Sequence, residues 1–339
     1  MRWENLTVER EESATLPGFK DSAVIRTFDA PEALGTRFYE VRARSGINEV
    51  PKRSRMPFRY TINPYRGCSH GCVYCFARPT HTYLDFNARE DFEREIVVKV
   101  NVPELVRAEL GRPSWSGDHV ALGTNTDPYQ WVEGRYRLME GIWAAMRDHS
   151  NPCSILTKSP LLLRDLKLMR EIAERTEFSA NLSIPTLDEK AWRETEPHTP
   201  HPRKRIEAVA ELARAGIRTG VLIAPLIPGV NDAPEQIARI VELVDGAGAD
   251  SIGGIGLHLR GEVRDIWFDW LRDHRPELIP RYEELYARGA YLPPAERDRL
   301  AALARPESPR RRPSRGSPSP NRPNATSSER RPPPQPSLF

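Results

Sequence analysis

The chain has 339 residues, 39% of them hydrophobic, and a formal net charge of +3, with a mean hydropathy of −0.58. That length gives room for one barrel-sized domain with extensions or for two smaller domains, and no apolar run reaches the 18 residues of a membrane-spanning helix. Residues 306–339 hold seven arginines and two glutamates, which leaves about −2 for residues 1–305, so only the tail is strongly cationic and the body is not a nucleic-acid binder by bulk charge.

The N-terminus, Met1-Arg-Trp-Glu-Asn, lacks the apolar stretch of a secretory signal. Residues 1–55 show no sustained periodicity and read as an N-terminal extension. Lys52 to Arg59 is a short basic run, either simply solvated or a rim that contacts phosphate. Phe58 to Ile62 reads as a first strand that delivers the loop Gly67 to Arg78, Gly-Cys-Ser-His-Gly-Cys-Val-Tyr-Cys-Phe-Ala-Arg. Cys68, Cys72 and Cys75 stand there as C-x3-C-x2-C. Three thiolates so close must point into one small volume, which suits a soft metal or an iron–sulfur cluster. Full protein ligation of a [4Fe–4S] cube takes four cysteines, and the only other one, Cys153, lies far away in an apolar run. Three ligands leave one iron open. The competing reading is a Cys3His zinc knuckle completed by His70 or His81. Clustered cysteines do not make a disulfide framework, and a thiolate-held cluster implies a reducing compartment, hence a cytoplasmic location.

Beyond the loop, apolar runs of strand length alternate with helical patterns, the signature of βα units and a parallel sheet. The expected strands are Ile96–Val100, His119–Gly123, Cys153–Thr157, Phe178–Ile184, Ile217–Ile223 and Ser251–Leu257, and the Ile96–Val100 run reads equally as peripheral. The expected helices are Arg135–Arg147, Leu161–Arg175, Arg203–Ala215 and Pro234–Ala247. Ala215-Gly216 marks a helix stop. Asp232 before Ala233-Pro234 marks a start, with Asp as the cap and Pro in the first turn. One strand too few for an eight-stranded barrel makes this α/β fold a partial, open one. Asp265 to Ala304 reads as an amphipathic helical extension against the barrel. Of the last 34 residues ten are proline and only Leu338 and Phe339 are large and apolar, which predicts disorder.

In a barrel of parallel strands, ligands sit at the carboxyl ends. There the chain places Gly123-Thr-Asn-Thr-Asp-Pro-Tyr, Thr157-Lys-Ser-Pro, Asn181-Leu-Ser and Ile223-Ala-Pro. Some of these residues merely make turns. Lys158, directly after an apolar run, suits a carboxylate; the alternative is a rim lysine whose stem snorkels.

The cysteine spacing with an aromatic, Tyr74, before the last cysteine resembles the cluster loop of radical S-adenosylmethionine (SAM) enzymes. Taken with Thr126-Asp127, Lys158, Ser183, Glu196-Pro-His-Thr-Pro, Lys204-Arg-Ile-Glu-Ala and Ile223-Ala-Pro, the chain is similar to the spore photoproduct lyase branch, and more narrowly to "DNA repair photolyase"-like radical SAM proteins of actinobacterial type. The likeness spans roughly residues 56–260. It implies a partial (β/α)6-type barrel over residues 56–260, an extension at 261–305 and a tail at 306–339. It further implies that Cys68, Cys72 and Cys75 ligate a [4Fe–4S] cluster whose open iron binds SAM. Tyr74 would lie beside the adenine, and Thr126, Asp127, Lys158 and Ser183 would hold ribose, amine and carboxylate of SAM. Arg205 would brace the site, or else lie on a helix surface. An electron donor of flavodoxin or ferredoxin type follows from the same resemblance.

One departure concerns the lyase's hydrogen-donor cysteine just before Thr126-Asp127, which is Asn125 here. Cys153 reads as an inert core residue rather than a substitute donor; Tyr129 and Trp131 relay a radical, or line a pocket and pack. The leading substrate class is nucleic acid, by family analogy. The alternatives are radical modification of RNA, protein or a small metabolite, and a non-catalytic zinc module that binds nucleic acid. Gln335 to Phe339 is similar to the short motif by which bacterial DNA-repair proteins dock on the sliding clamp; the bland reading is a tail without a partner.

Overall fold

The computed structural model describes residues 22–305 apart from 31, 32, 34, 53 and 55, together with two short strands at Val8–Arg10 and Ala14–Thr15. The proline-rich tail and its Gln335–Phe339 motif lie outside the described residues.

Six parallel strands carry the architecture. They are β1 (Tyr60–Ile62), β2 (Val120–Leu122), β3 (Cys153–Thr157), β4 (Phe178–Ser183), β5 (Arg218–Leu226) and β6 (Ser251–Gly256). They lie side by side in sequence order, each neighbouring pair parallel. A parallel neighbour requires a crossover, and the chain spends each one on a helix. The helices are α1 (Val102–Leu110), α2 (Leu138–Asp148), α3 (Leu166–Ala173), α4 (Pro202–Arg214) and α5 (Pro234–Gly246). Their apolar faces bury Val106, Trp143, Met146, Ile172, Leu212 and Ile240 against the sheet, and the expected partial barrel results. Gly216 takes φ +83° at the end of α4, as its place after Ala215 requires.

The extension beyond β6 supplies α6 (Val263–His274), a shorter helix Ile279–Leu285, and α7 (Pro294–Leu303). Helix α7 packs on β6. The glycines of β6 are what permits it: a Cβ on Gly254 would stand 2.7 Å from the Ala304 Cβ, and one on Gly256 2.8 Å from Leu292 Cδ1.

Three sequence expectations need correction, and of the two readings of Ile96–Val100 the peripheral one holds. The run does not join the barrel. As Glu95–Lys99 it sits in a second sheet, parallel to Arg37–Val41 and antiparallel to Tyr65–Arg66. Side chains settle the choice: buried Glu95 accepts from Arg37 Nη2 at 2.6 Å and from the Tyr39 hydroxyl at 2.8 Å. Residues before 56 are not featureless either, since Ser22–Phe28 and Arg37–Val41 form part of that sheet. The expected helix Arg135–Arg147 breaks at Arg137, whose φ is +52°. Buried Glu133 accepts from Leu138 N at 3.1 Å and Met139 N at 3.0 Å, capping a new start. Asp232 does not cap α5: Ala233 is the cap residue, with no side-chain bond. The Asp232 carboxylate turns back to Gly229 N at 2.7 Å and outward to Arg299 at 2.5 Å.

Candidate active site

The loop Gly67–Arg78 leaves the second sheet at Arg66 and crosses the carboxyl end of the barrel. Its backbone is fastened on several sides. Cys68 N donates to Phe92 O at 2.9 Å, Ser69 N to Gln130 Oε1 at 3.0 Å and Val73 N to Thr195 O at 3.0 Å. Arg78 does most of the gathering from its buried position. Its Nε donates to Cys72 O and its Nη2 to Gly71 O, both at 2.9 Å, and Nη1 donates to Arg89 O at 2.7 Å, while Glu93 balances its charge. Five donors in a planar fork suit one side chain to several carbonyls at once.

Cys68 and Cys72 are buried and Cys75 is half-buried. Burial and then Cys68 push the Cys75 thiol up to about 11, with Lys158 among the groups that oppose the rise. Burial, then Glu196, push Cys72 up further, again against Lys158 and with Cys75 and Cys68 adding to it. The three sulfurs therefore sit within electrostatic reach of one another: Cys68 opposes the ionisation of both Cys72 and Cys75, and Cys75 that of Cys72. Such a trio becomes thiolate only around a strongly cationic group, which is the chemistry of a metal–sulfur cluster. Among the described residues no three His, Cys, Asp or Glu side chains converge so as to hold a single metal ion. A cube asks each thiolate for a different corner iron, not for one common point. Of the two candidate histidines, His81 is buried against Phe86, 5.2 Å between ring centroids, while His70 faces Asp127 at 3.4 Å and also meets Cys68.

Beside the loop lies a buried ionic group. Lys158 follows β3 and points its Nζ at Ser183 Oγ, 2.7 Å, and Glu196 Oε1, 2.8 Å. The Tyr74 ring lies 5.7 Å from that ammonium and its hydroxyl donates to Glu196. Fully buried Arg205 bonds the other Glu196 oxygen at 2.6 Å and Ser183 O at 3.0 Å, so it braces the site and is not on the helix surface. Burial opposes the charge of Glu196, but Arg205 and then Lys158 overcome it and hold the carboxyl at about 2. Lys158, Ser183 and Tyr74, far apart in sequence, thus meet at one place.

Asp127 and Thr126 are placed differently. Asp127 accepts from Thr157 Oγ1 at 2.6 Å and from Lys158 N at 2.7 Å, tying the loop after β2 to the end of β3. Its carboxyl is lowered: burial works against this, and His70 at 3.4 Å outweighs it. Buried Thr126 donates to Tyr65 O at 3.1 Å. The turn beneath them needs Gly123, at φ +77°, because a Cβ there would come within 1.9 Å of Leu156 O. Asn125 Nδ2 reaches Thr80 Oγ1 at 3.5 Å.

The remaining candidates pack. Tyr129 donates to Asp165 at 2.7 Å and accepts from Trp143 at 2.7 Å. Trp131 stands edge-on to Phe38 at 5.4 Å. Cys153 is fully buried, and burial alone raises its thiol far up. Arg78, Gln130 and the role of Glu196 escaped the sequence reading. Arg78 closes the cysteine loop in the sequence and Glu196 opens the stretch Glu196-Pro-His-Thr-Pro, but only spatial partners reveal what either does.

The loop, the open parallel barrel and the cation at its carboxyl rim define a class. The chain belongs to the radical SAM superfamily, whose family pattern matches residues 62–243, and it is a radical SAM enzyme. The family implies SAM and an iron–sulfur cluster as cofactors. A relative described as an uncharacterized protein of Mycobacterium tuberculosis is 44% identical over 310 residues, covering 90% of this chain and 91% of that one. Spore photoproduct lyase complexed with dinucleoside spore photoproduct shares the fold, with a TM-score of 0.59 at 14% identity, over 78% of this chain and 77% of that chain. A radical SAM Nalpha-GlyT isomerase of Pseudomonas phage M6 is 26% identical over 183 residues, covering 52% of this chain and 36% of the phage protein. Among the described residues no helix is long and apolar enough to cross a membrane.

Proposed function

We propose that Cys68, Cys72 and Cys75 hold a [4Fe–4S] cluster whose open iron takes SAM, and that the enzyme acts on nucleic acid. The observation that carries the first part is the trio of mutually interacting thiols with the Lys158 ammonium in electrostatic reach. When bound, the cluster supplies the electron, drawn from a flavodoxin- or ferredoxin-type donor, that splits SAM into methionine and a 5′-deoxyadenosyl radical.

The chain's own part is to orient and to keep charges paired. Lys158 and Ser183 receive the methionyl end of SAM. Glu196 makes this possible, because it holds a second cation, Arg205, and is not stranded when Lys158 turns to a ligand. Tyr74 meets the adenine through its backbone, its hydroxyl being taken by Glu196. Thr126 and Asp127 serve the ribose and amine side of the site through the loop they fasten. The substrate class is supported by the dinucleoside photoproduct named for the structural neighbour.

Anaerobic reconstitution tests the reading: about four irons and four sulfides per chain and formation of 5′-deoxyadenosine are expected. One zinc and no sulfide would sink it. Lys158→Met should leave the iron content intact and weaken SAM binding by roughly ten- to a hundredfold, the cost of about 1.5–3 kcal/mol for a charge-assisted contact. Equal affinity in that variant leaves Lys158 a rim residue. Asn125 predicts a negative result, since an amide does not return a hydrogen atom as a thiol does. Wild-type protein without added thiol should not convert a thymine photoproduct cleanly to two thymines, and product analysis by chromatography decides it.

A further inference from the structure

Arg66 and Lys99 have no use in the site just described. They stand on adjacent antiparallel strands, where Arg66 is opposite Val97. Alternation along a strand puts Val97 and Lys99 on one face, so Arg66 and Lys99 are diagonal neighbours there. Their stems lie toward an apolar cluster that includes Val97, Val41 and Leu84. Both residues are half-buried, and among the described residues neither has an ion-pair partner. The carboxylate on the same face, Glu95, is already taken by Arg37 and Tyr39. Lys99 Nζ donates to Asn63 O at 3.1 Å, which places the ammonium just beyond the end of β1, on the same rim as the cysteine loop. Burial, then the Arg66 charge, lower the Lys99 ammonium to about 8, so at neutral pH most of it is still charged beside another cation. Two like charges held together and partly desolvated are costly unless an anion joins them.

The Tyr83 ring stands within electrostatic reach of Arg66. Tyr83, on the short helix Arg78–Leu84, is 78% exposed, and Phe76, directly after Cys75, is 54% exposed. Rings left in water beside cations are the elements of a surface that holds a nucleotide, with a phosphate on the cations and a base on the ring.

We propose that Arg66 and Lys99 form a phosphate subsite at the barrel mouth and that Tyr83 takes an adjoining base, so that a nucleic-acid strand is held with one nucleotide over the cysteine loop. The proposal rests on the nucleic-acid reading above and deepens it. Phosphate is the shared chemistry of two sources, a strand and a free nucleotide, and we assign the strand. Two exposed rings, Tyr83 and Phe76, offer more than one base position, which a strand can fill and a mononucleotide cannot.

The test uses anaerobically reconstituted protein and fluorescence anisotropy with a labelled single-stranded DNA of about 12 nucleotides. Arg66→Gln/Lys99→Gln should weaken binding at least about tenfold and flatten its salt dependence by about 0.7 for each phosphate no longer neutralised. Tyr83→Ser, an exposed change that does not threaten folding, should weaken it roughly fivefold or more. Iron content and melting temperature equal to wild type establish that the double variant is folded. Binding by both variants equal to wild type, with the same salt slope, overturns the subsite and leaves the substrate reading standing. No binding by wild type itself disposes of the nucleic-acid reading together with the subsite. Thymidine monophosphate and inorganic phosphate should not displace the strand at concentrations where unlabelled strand does; displacement by the mononucleotide overturns the assignment to a strand.

Discussion

Cys72→Ala protein, reconstituted anaerobically beside wild type, is expected to lose the broad brown absorbance of an iron–sulfur cluster and to form no 5′-deoxyadenosine. Cys72 is the middle cysteine of the loop. It is buried, and its carbonyl is held by Arg78. Alanine removes one of the three loop thiols, and the remaining cysteine, Cys153, lies at the start of β3 in the core. Two ligands do not hold a cube against exchange with solvent thiols, so the expected loss is of the whole activity and not of a fraction. A Cys153→Ala control should keep its iron. Iron and sulfide analysis with product chromatography measures both, and SAM cleavage by Cys72→Ala at the wild-type rate would remove this loop from the chemistry.

The second large effect falls on Glu196. Replacing it by alanine leaves fully buried Arg205 without its carboxylate, and an uncompensated buried charge costs about 3–5 kcal/mol. Chemical denaturation of the cluster-free chain should show a loss of that order. A Glu196→Gln/Arg205→Met chain, from which both charges are gone, should recover part of it. The same residue sets an acid limit. Its folded-state value of about 2 lies below the ordinary 4.5. The stability it contributes is therefore complete above about 4.5 and lost as pH falls from there toward 2. Melting temperatures of wild type should drop more steeply across that window than those of Glu196→Gln. Parallel curves would mean that Glu196 is not held ionised.

The barrel was legible because its strands are short apolar runs, with Ile155, Leu182 and Val221 buried at their middles, and because Gly216 and Pro234 punctuate the helices between them. The cysteine loop was legible from spacing alone. The second sheet was not. Glu95–Lys99 has the length and composition of a barrel strand, and what assigns it elsewhere is a pair of bonds to Arg37 and Tyr39, more than fifty residues earlier. The ionic group was legible in pieces. Lys158 and Ser183 stand where strands end, but Tyr74 and Glu196 meet across 122 positions. No local pattern announces such a pairing, because what selects it is the cost of burying each charge alone. Arg78 was hidden for a similar reason: its guanidinium serves mainly main-chain carbonyls, and the carboxylate that it pairs with, Glu93, stands 15 positions away with no pattern to link the two.

The second sheet also bears on where this enzyme can be cut. Residues 62–243 carry the family pattern, yet Glu95–Lys99 lies between Arg37–Val41 on one side and Tyr65–Arg66 on the other. A chain trimmed to the pattern would lose the first of these and bare a strand edge flanked by Ile96, Val97 and Val98. It would also lose β6 and so bare a second edge, along β5. Open apolar edges recruit one another, so the shortened protein would tend to associate edge to edge before its cysteine loop was ever supported. The segment by which the family is recognised is thus smaller than the unit that keeps its own strand edges covered.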